Sequence, residues 1–271
     1  MNTTISFQKW RIAEAFSRQS GSFDKDEMRN KILQYMRSTV RKYVISIWKK
    51  GETILELNCG TGLDAVYFAQ QGFKVYATDN AKGMLNQVRR KVSDNHLEES
   101  ITVENYSFNQ ISALAPKKFD HIFSNFGGLN CTNDLQNIIS QFYDLLNDNG
   151  TVTLVLMPSV CPWEVVLSLK GNFKTAFRRF SKAGADSQLE GINFTTYYYS
   201  TKEVEAFFGT TFTRTHLQSL GLICPPPYLE KIPKNFPGLF SALIKMEQRI
   251  SMYPVFRNWG DHFMISMQKK G

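Results

Sequence analysis

The sequence predicts an α/β fold in which a parallel sheet is covered by helices on both faces. Three observations lead there. Short, nearly continuous apolar stretches alternate with segments of helical periodicity from residue 53 to residue 157, as expected for parallel strands buried on both sides. The first stretch, Thr53-Ile54-Leu55-Glu56-Leu57, runs directly into a turn holding Gly60 and Gly62, which is the strand, glycine turn and helix order of a nucleotide-cofactor unit. The second ends on Asp79, where a carboxylate can accept hydrogen bonds from two ribose hydroxyls.

Residues 5–20 place Phe7, Trp10, Ile12, Ala13 and Phe16 at helical spacing. A second helix is expected over 26–48, capped by Asp24 or Asp26, with a broad apolar face from Met28 to Trp48. Gly51 ends it. Strands then follow at 53–58, 74–78, 101–106, 119–125 and 151–157, with helices at 63–71, 81–95 and 133–147. Beyond Pro158 the periodicity loosens. A helix and a mobile basic connection are expected over 162–195, a short strand at Tyr197-Tyr198-Tyr199, a helix at 201–208 and a strand at 212–220. Cys224-Pro225-Pro226-Pro227-Tyr228 is excluded from any central strand. A helix near 239–252 and a strand at 263–267 complete the chain.

A length of 271 residues with 42% hydrophobic content suits one large domain. No apolar run is long enough to cross a bilayer, and Met1 is followed by polar residues. The cysteines at 59, 131, 161 and 224 are scattered, with no CxxC spacing. No metal site or disulfide framework is therefore expected, and a reducing cytoplasm is the simplest setting. The net charge of +8 is uneven: residues 1–50 carry +7, 51–157 carry −5 and 158–271 carry +6. Basic flanks around an acidic centre admit an anionic substrate, a nucleic acid or an acidic membrane surface. Ordinary solvated helix faces explain them more simply, because the charges form no long block.

Glu56-Leu57-Asn58-Cys59-Gly60-Thr61-Gly62, Asp79, and Phe119-Asp120-His121-Ile122-Phe123-Ser124-Asn125 together resemble class I S-adenosylmethionine-dependent methyltransferases, and within them the small-molecule group that includes the ubiquinone and menaquinone methyltransferases. The resemblance implies a Rossmann-like seven-stranded sheet in the order 3-2-1-4-5-7-6, its seventh strand antiparallel, with an N-terminal helical cap over 1–50 and a C-terminal helical cap. The methyltransferase domain is expected over 51–271, with lid or substrate insertions at about 158–200 and 224–258. The implied cofactor is S-adenosylmethionine, leaving as S-adenosylhomocysteine. Its binding set would be Glu56 near the methionine ammonium, the turn Asn58, Cys59, Gly60, Thr61 and Gly62, Asp79 with Asn80 at the ribose, Met84 at the adenine, and Asn125, Phe126 and Gly127 along the methionine moiety. Ser107 and Phe108 complete the set on the adenine side. Two positions depart from the family pattern: Ser107-Phe108 stands where many relatives carry Asp, and Asn58 where Asp or Gly is common. Gly60-Thr61-Gly62-Leu63-Asp64-Ala65 also fits a dinucleotide-binding GxGxxA pattern, but Glu56 and Asn125 favour the methyl donor.

Methyl transfer from a sulfonium is an in-line displacement, so alignment and water exclusion are the protein's main tasks. A general base helps a hydroxyl or activated-carbon acceptor. Among four histidines, His96, His121 and His216 read as surface or packing residues. His262 opens the final strand beside the carboxyl ends of the parallel strands, and is the candidate catalytic residue. Phe16, Tyr197, Tyr199 and His262 are the candidate acceptor-binding residues. The expected partner is a small-molecule acceptor. A nucleic-acid or protein acceptor, and a non-catalytic cofactor-binding protein, are the alternatives.

Overall fold

Ile54, Leu55 and Leu57 are fully buried, and the strand that carries them, β1 (Thr53–Leu57), lies at the heart of a seven-stranded sheet. The computed structural model describes residues 2–168 and 177–271, with side chains for 8–166 and 177–271; the Phe7 side chain and the part of the expected 162–195 stretch at 169–176 lie outside the described residues. β2 (Lys74–Asp79) and β3 (Ile101–Asn105) pair in parallel on one side of β1, and β4 (Phe119–Ser124) and β5 (Leu146–Leu156) on the other. Two more strands form a separate hairpin, β6 (Ala185–Leu189) with β7 (Ile192–Thr196). β8 (Phe212–Leu220) and β9 (His262–Lys269) complete the main sheet in the order β3-β2-β1-β4-β5-β9-β8, and β9 is antiparallel to both neighbours. With the hairpin set aside, this is the expected 3-2-1-4-5-7-6 order.

Both faces of the sheet are covered. On one, α3 (Lys31–Ile47), α4 (Leu63–Gln70) and α5 (Lys82–Asp94) bury Met36, Phe68 and Val88 against Ile54 and Phe123. Trp48 stacks on His121 at 4.5 Å and meets Phe68 edge-on at 5.2 Å, closing the lower end of that layer. On the other face, α6 (Leu135–Ser140), α7 (Phe142–Leu145) and α9 (Thr201–Phe207) pack Ile138, Phe142 and Val204 against Leu57 and Ile122. The remaining helices are α1 (Asn2–Gln19), α2 (Phe23–Arg29), α8 (Pro162–Ser168), α10 (Lys231–Asn235) and α11 (Pro237–Ile250).

α1 crosses α5 at very close range. A Cβ on Gly83 would lie 2.3 Å from the Ser17 carbonyl oxygen, so only glycine permits the crossing. The N-cap of α5, Ala81, has no side-chain acceptor, and Ser17 Oγ of α1 accepts from Gly83 N at 3.2 Å instead.

Several expectations are corrected. The helix expected over 26–48 is two helices, because Asn30 adopts extended backbone and its Oδ1 accepts from Ile32 N (3.0 Å) and Leu33 N (3.3 Å). That cap satisfies two otherwise orphaned amides and outweighs continuation of the helix. Neither Asp24 nor Asp26 caps α2, whose N-cap is Ser22. The helix expected over 133–147 ends at Leu145, and β5 begins five residues earlier than expected, at Leu146. The 162–195 stretch contains the hairpin, turned by Glu190 (φ 49°) and Gly191 (φ 76°), the two positive-φ residues a tight hairpin loop needs. Tyr197-Tyr198-Tyr199 is irregular chain; the Tyr197 amide donates to Asn130 O (2.7 Å) rather than to a neighbouring strand.

Candidate active site

The turn after β1 is shaped by its own backbone. Asn58, Gly60 and Gly62 all take positive φ (46°, 56° and 78°), and Gly62 N closes the loop onto Cys59 O at 2.9 Å. A Cβ on Gly62 would meet Val88 at 2.9 Å, so α5 approaches the turn closely. Across the sheet, Asp79 Oδ2 accepts from Gly60 N (2.9 Å) and Oδ1 from Ala81 N (2.8 Å). Each carboxylate oxygen keeps a further lone pair for a hydroxyl donor. Burial raises the Asp79 carboxyl above its ordinary value, although those backbone amides favour the charged form.

Glu56 is 3% exposed and its Oε2 has no hydrogen-bond partner among the described residues. Burial, and then the Asp64 carboxylate, push its carboxyl well above the usual range. Asp64, in the first turn of α4, has the opposite fate. It is ion-paired with Arg37 and with Arg41 (2.7 Å), and accepts from Asn125 Nδ2 (2.9 Å). Against the cost of burial, Arg37 and Arg41 hold Asp64 below the usual carboxylate range. Arg37 also pairs with Glu27 at 3.0 Å and lies 4.4 Å over the Phe126 ring. One buried network thus ties α2 and α3 to the ends of β1 and β4. A second tie runs from Thr61 Oγ1 to Asp24 Oδ1 (2.6 Å), with Lys91 on the other Asp24 oxygen.

Many of these residues border one cavity of about 370 Å³. Glu56, Asn58, Cys59, Gly60, Thr61, Asp79, Asn80, Met84 and Phe108 line it, together with Asn125, Phe126, Gly127, Phe16 and His262. An unpartnered carboxylate oxygen and a hydroxyl-accepting carboxylate on the wall of one cavity suit a ligand that joins an ammonium to a ribose. The residues present fit S-adenosylmethionine.

Residues 54–150 match a family described as a methyltransferase domain. The chain carries a class I S-adenosylmethionine-dependent methyltransferase domain. It is 28% identical over 204 residues to an uncharacterized protein of Methanocaldococcus jannaschii, across 73% of this chain and 74% of that one. It is 29% identical over 150 residues to a malonyl-[acyl-carrier protein] O-methyltransferase of Yersinia pestis, across 55% of this chain and about half (51%) of that relative. A solved S-adenosylmethionine-dependent methyltransferase structure from Listeria monocytogenes has the same fold, with a TM-score of 0.57 at 18% identity, across 82% of this chain and 91% of that one.

In this methyltransferase the site candidates fall into distinct places. Gly62 lies behind the cavity against Val88. Ser107 and Tyr197 line a smaller neighbouring space of about 80 Å³ with Phe108, and Ser107 Oγ accepts from Asn109 N (3.4 Å). Tyr199 is buried in the core beside Phe207, and its hydroxyl donates to Thr132 O; it is not among the residues lining the main cavity. His262 is brought to the cavity, 5.8 Å edge-on from Phe126, with Nδ1 2.9 Å from Asp261 Oδ2. Asp261 in turn accepts from the buried Arg179 Nη2 (2.9 Å), which also donates to Glu164 Oε1 (2.7 Å). Burial would raise the Asp261 carboxyl, but His262 and then Arg179 hold it well below the usual range.

Sequence reasoning missed Arg37, Asp64, Arg179 and Phe194. Arg37 and Arg41, four apart on an amphipathic helix, were one available signal, and Asp64 two residues after Gly62 was another. Phe194 lines the cavity from β7 and meets Phe16 of α1 at 6.3 Å; its position depends on a hairpin that the sequence reading did not contain.

Proposed function

We propose that the enzyme methylates a small organic acceptor bound beneath α1 and the β6–β7 hairpin. The observation that carries this reading is the shared cavity: the residues suited to the methyl donor and the aromatic pair Phe16 and Phe194 border the same space of about 370 Å³, a size typical of small-ligand sites. The likeness to a malonyl-[acyl-carrier protein] O-methyltransferase supports an organic acceptor group.

The cofactor supplies an electrophilic methyl on a sulfonium. Glu56 would hold the methionine ammonium, Asp79, fixed by the Gly60 amide, the ribose, and Met84 and Phe108 the adenine. Phe126 and Gly127 would confine the reacting end. Phe16, Phe194 and Ile12 would exclude water and orient the acceptor, which is where most of the rate is gained in a displacement of this kind. His262 Nε2 has no hydrogen-bond partner among the described residues. With Nδ1–H donated to Asp261, Nε2 is the basic nitrogen that would take the acceptor's proton.

The test is S-adenosylhomocysteine release across panels of phenols, amines and quinones, with transfer RNA and peptide mixtures as contrasting acceptors. Turnover with a small acceptor, falling at least about a hundredfold in His262→Ala, is expected. Turnover confined to RNA or peptides would overturn the acceptor class. A small-acceptor rate untouched by His262→Ala would remove the base.

A further inference from the structure

The C-terminal helix α11 has two apolar faces, and only one is used inside the protein. Its inner face buries Phe240 edge-on against Tyr35 at 6.4 Å, and turns Glu247 inward to accept from the amides of Gly221 (2.9 Å), Ile223 (2.9 Å) and Cys224 (2.7 Å). The outer face carries Leu239 and Met246, 53% and 52% exposed, with Leu243 and Ile250 partly buried between and beyond them. At 100° per residue these four fall on one narrow stripe. Phe236, 60% exposed, precedes it, and Tyr253, Val255 and Trp259 follow it in the turns after the helix, all exposed. A contiguous apolar strip of this kind marks an interaction surface rather than scattered surface residues.

Charge identifies the partner. Residues 231–260 contain five basic side chains and one acidic, and the acidic one is the buried Glu247. Lys245 and Arg249 lie on the exposed flank of the stripe, and Lys231 and Lys234 are exposed just before it. Lysine is depleted from the cores of protein–protein interfaces. Cations of one sign beside a stripe of Leu, Met and Ile, bounded by Tyr and Trp, are instead the make-up of a helix that lies in the interface of an anionic bilayer. We propose that α11 and the turns to Trp259 form a peripheral docking surface for anionic lipid membranes. The apolar stripe would enter the headgroup boundary while the four exposed cations face lipid phosphates. This does not depend on which acceptor the enzyme methylates. No described helix is long and apolar enough to cross a membrane, so attachment by this face is reversible.

Flotation of the full chain with phosphatidylcholine vesicles, alone or mixed with phosphatidylglycerol, tests the proposal. The protein should float with the mixed vesicles, stay behind with phosphatidylcholine alone, and be released by high salt. Leu239→Glu/Met246→Glu should abolish flotation, and Lys245→Glu/Arg249→Glu should lower partitioning at least about tenfold. Both variants alter exposed side chains, and their thermal midpoints and S-adenosylmethionine affinities should match the unaltered chain. Should the first pair unfold the protein, the second carries the test alone. No flotation with anionic vesicles, equal flotation with neutral ones, or variants that float like the parent would overturn it. So would a dimer dispersed by Leu239→Glu/Met246→Glu without vesicle binding, which would make a second copy the occupant, or retention on DNA in place of vesicles.

Discussion

Glu56 and Asp64 lie close enough for each to raise the other's cost of ionisation, and the arginines of α3 decide which one stays charged. Asp64 takes Arg37 and Arg41, and Glu56 is left desolvated and without a partner for Oε2. A carboxyl whose value is raised keeps its proton to higher pH in the free enzyme, and an ammonium placed against it favours the ionised form. Cofactor binding should therefore release a proton, and affinity should rise with pH until the raised value is passed, then level off. Titration calorimetry in buffers of different ionisation enthalpy measures the released proton directly. In Glu56→Gln the release should vanish, together with a loss of affinity of about 2–3 kcal/mol, as for a charge-assisted hydrogen bond. A proton count unchanged in that variant would place the titrating group elsewhere.

The β1 turn was legible because its chemistry is local: ten consecutive residues carry the strand, the positive-φ positions and the carboxylate, and Asp79 meets them through the adjacent strand. The ion pairs were not. Arg37 and Asp64 are 27 residues apart, and Arg179 and Asp261 are 82 apart, so neither pairing leaves a trace in a short window. The β6–β7 hairpin failed to register for another reason: only Thr196 in it is buried, the other residues being half-buried or exposed, so the period-2 signal of a strand with one buried face is faint. Glu190-Gly191 was the one clear mark. Because Gly191 has φ 76°, Gly191→Val should strain the turn by about 1–3 kcal/mol and loosen Phe194 above the cavity. Steady-state kinetics should show the acceptor KM raised at least about fivefold, while calorimetry gives a cofactor Kd changed less than about twofold. Equal losses in both would mean that the hairpin supports the whole cavity rather than its acceptor side.

Buried carboxyls of two opposite kinds set how the molecule as a whole answers to acid. Asp64, Glu164 and Asp261 are held below their ordinary values by arginines or histidine; their stabilisation is present above the unfolded value near ~4 and is lost as pH falls through the folded one. Glu27, Glu56, Asp79 and Glu247 are raised, and what they contribute is greatest in acid and lost as pH climbs through the raised value. Arg179→Met removes the cation shared by Glu164 and Asp261, and should cost about 3–5 kcal/mol near neutrality while making stability fall less steeply below pH ~4. Urea unfolding across pH reads both effects; a parallel downward shift at every pH would contradict the assignment. The crossing of α1 over α5 has a consequence in time rather than in stability. Ile12 and Phe16 of α1 border the cavity, and Gly83 lets that helix rest directly on backbone, so loosening the crossing should loosen one wall of the cavity. One added methyl at this point is a wedge. Gly83→Ala should shorten the residence of S-adenosylhomocysteine, read by stopped-flow displacement, and where product departure limits turnover the crippled crossing would run the faster enzyme.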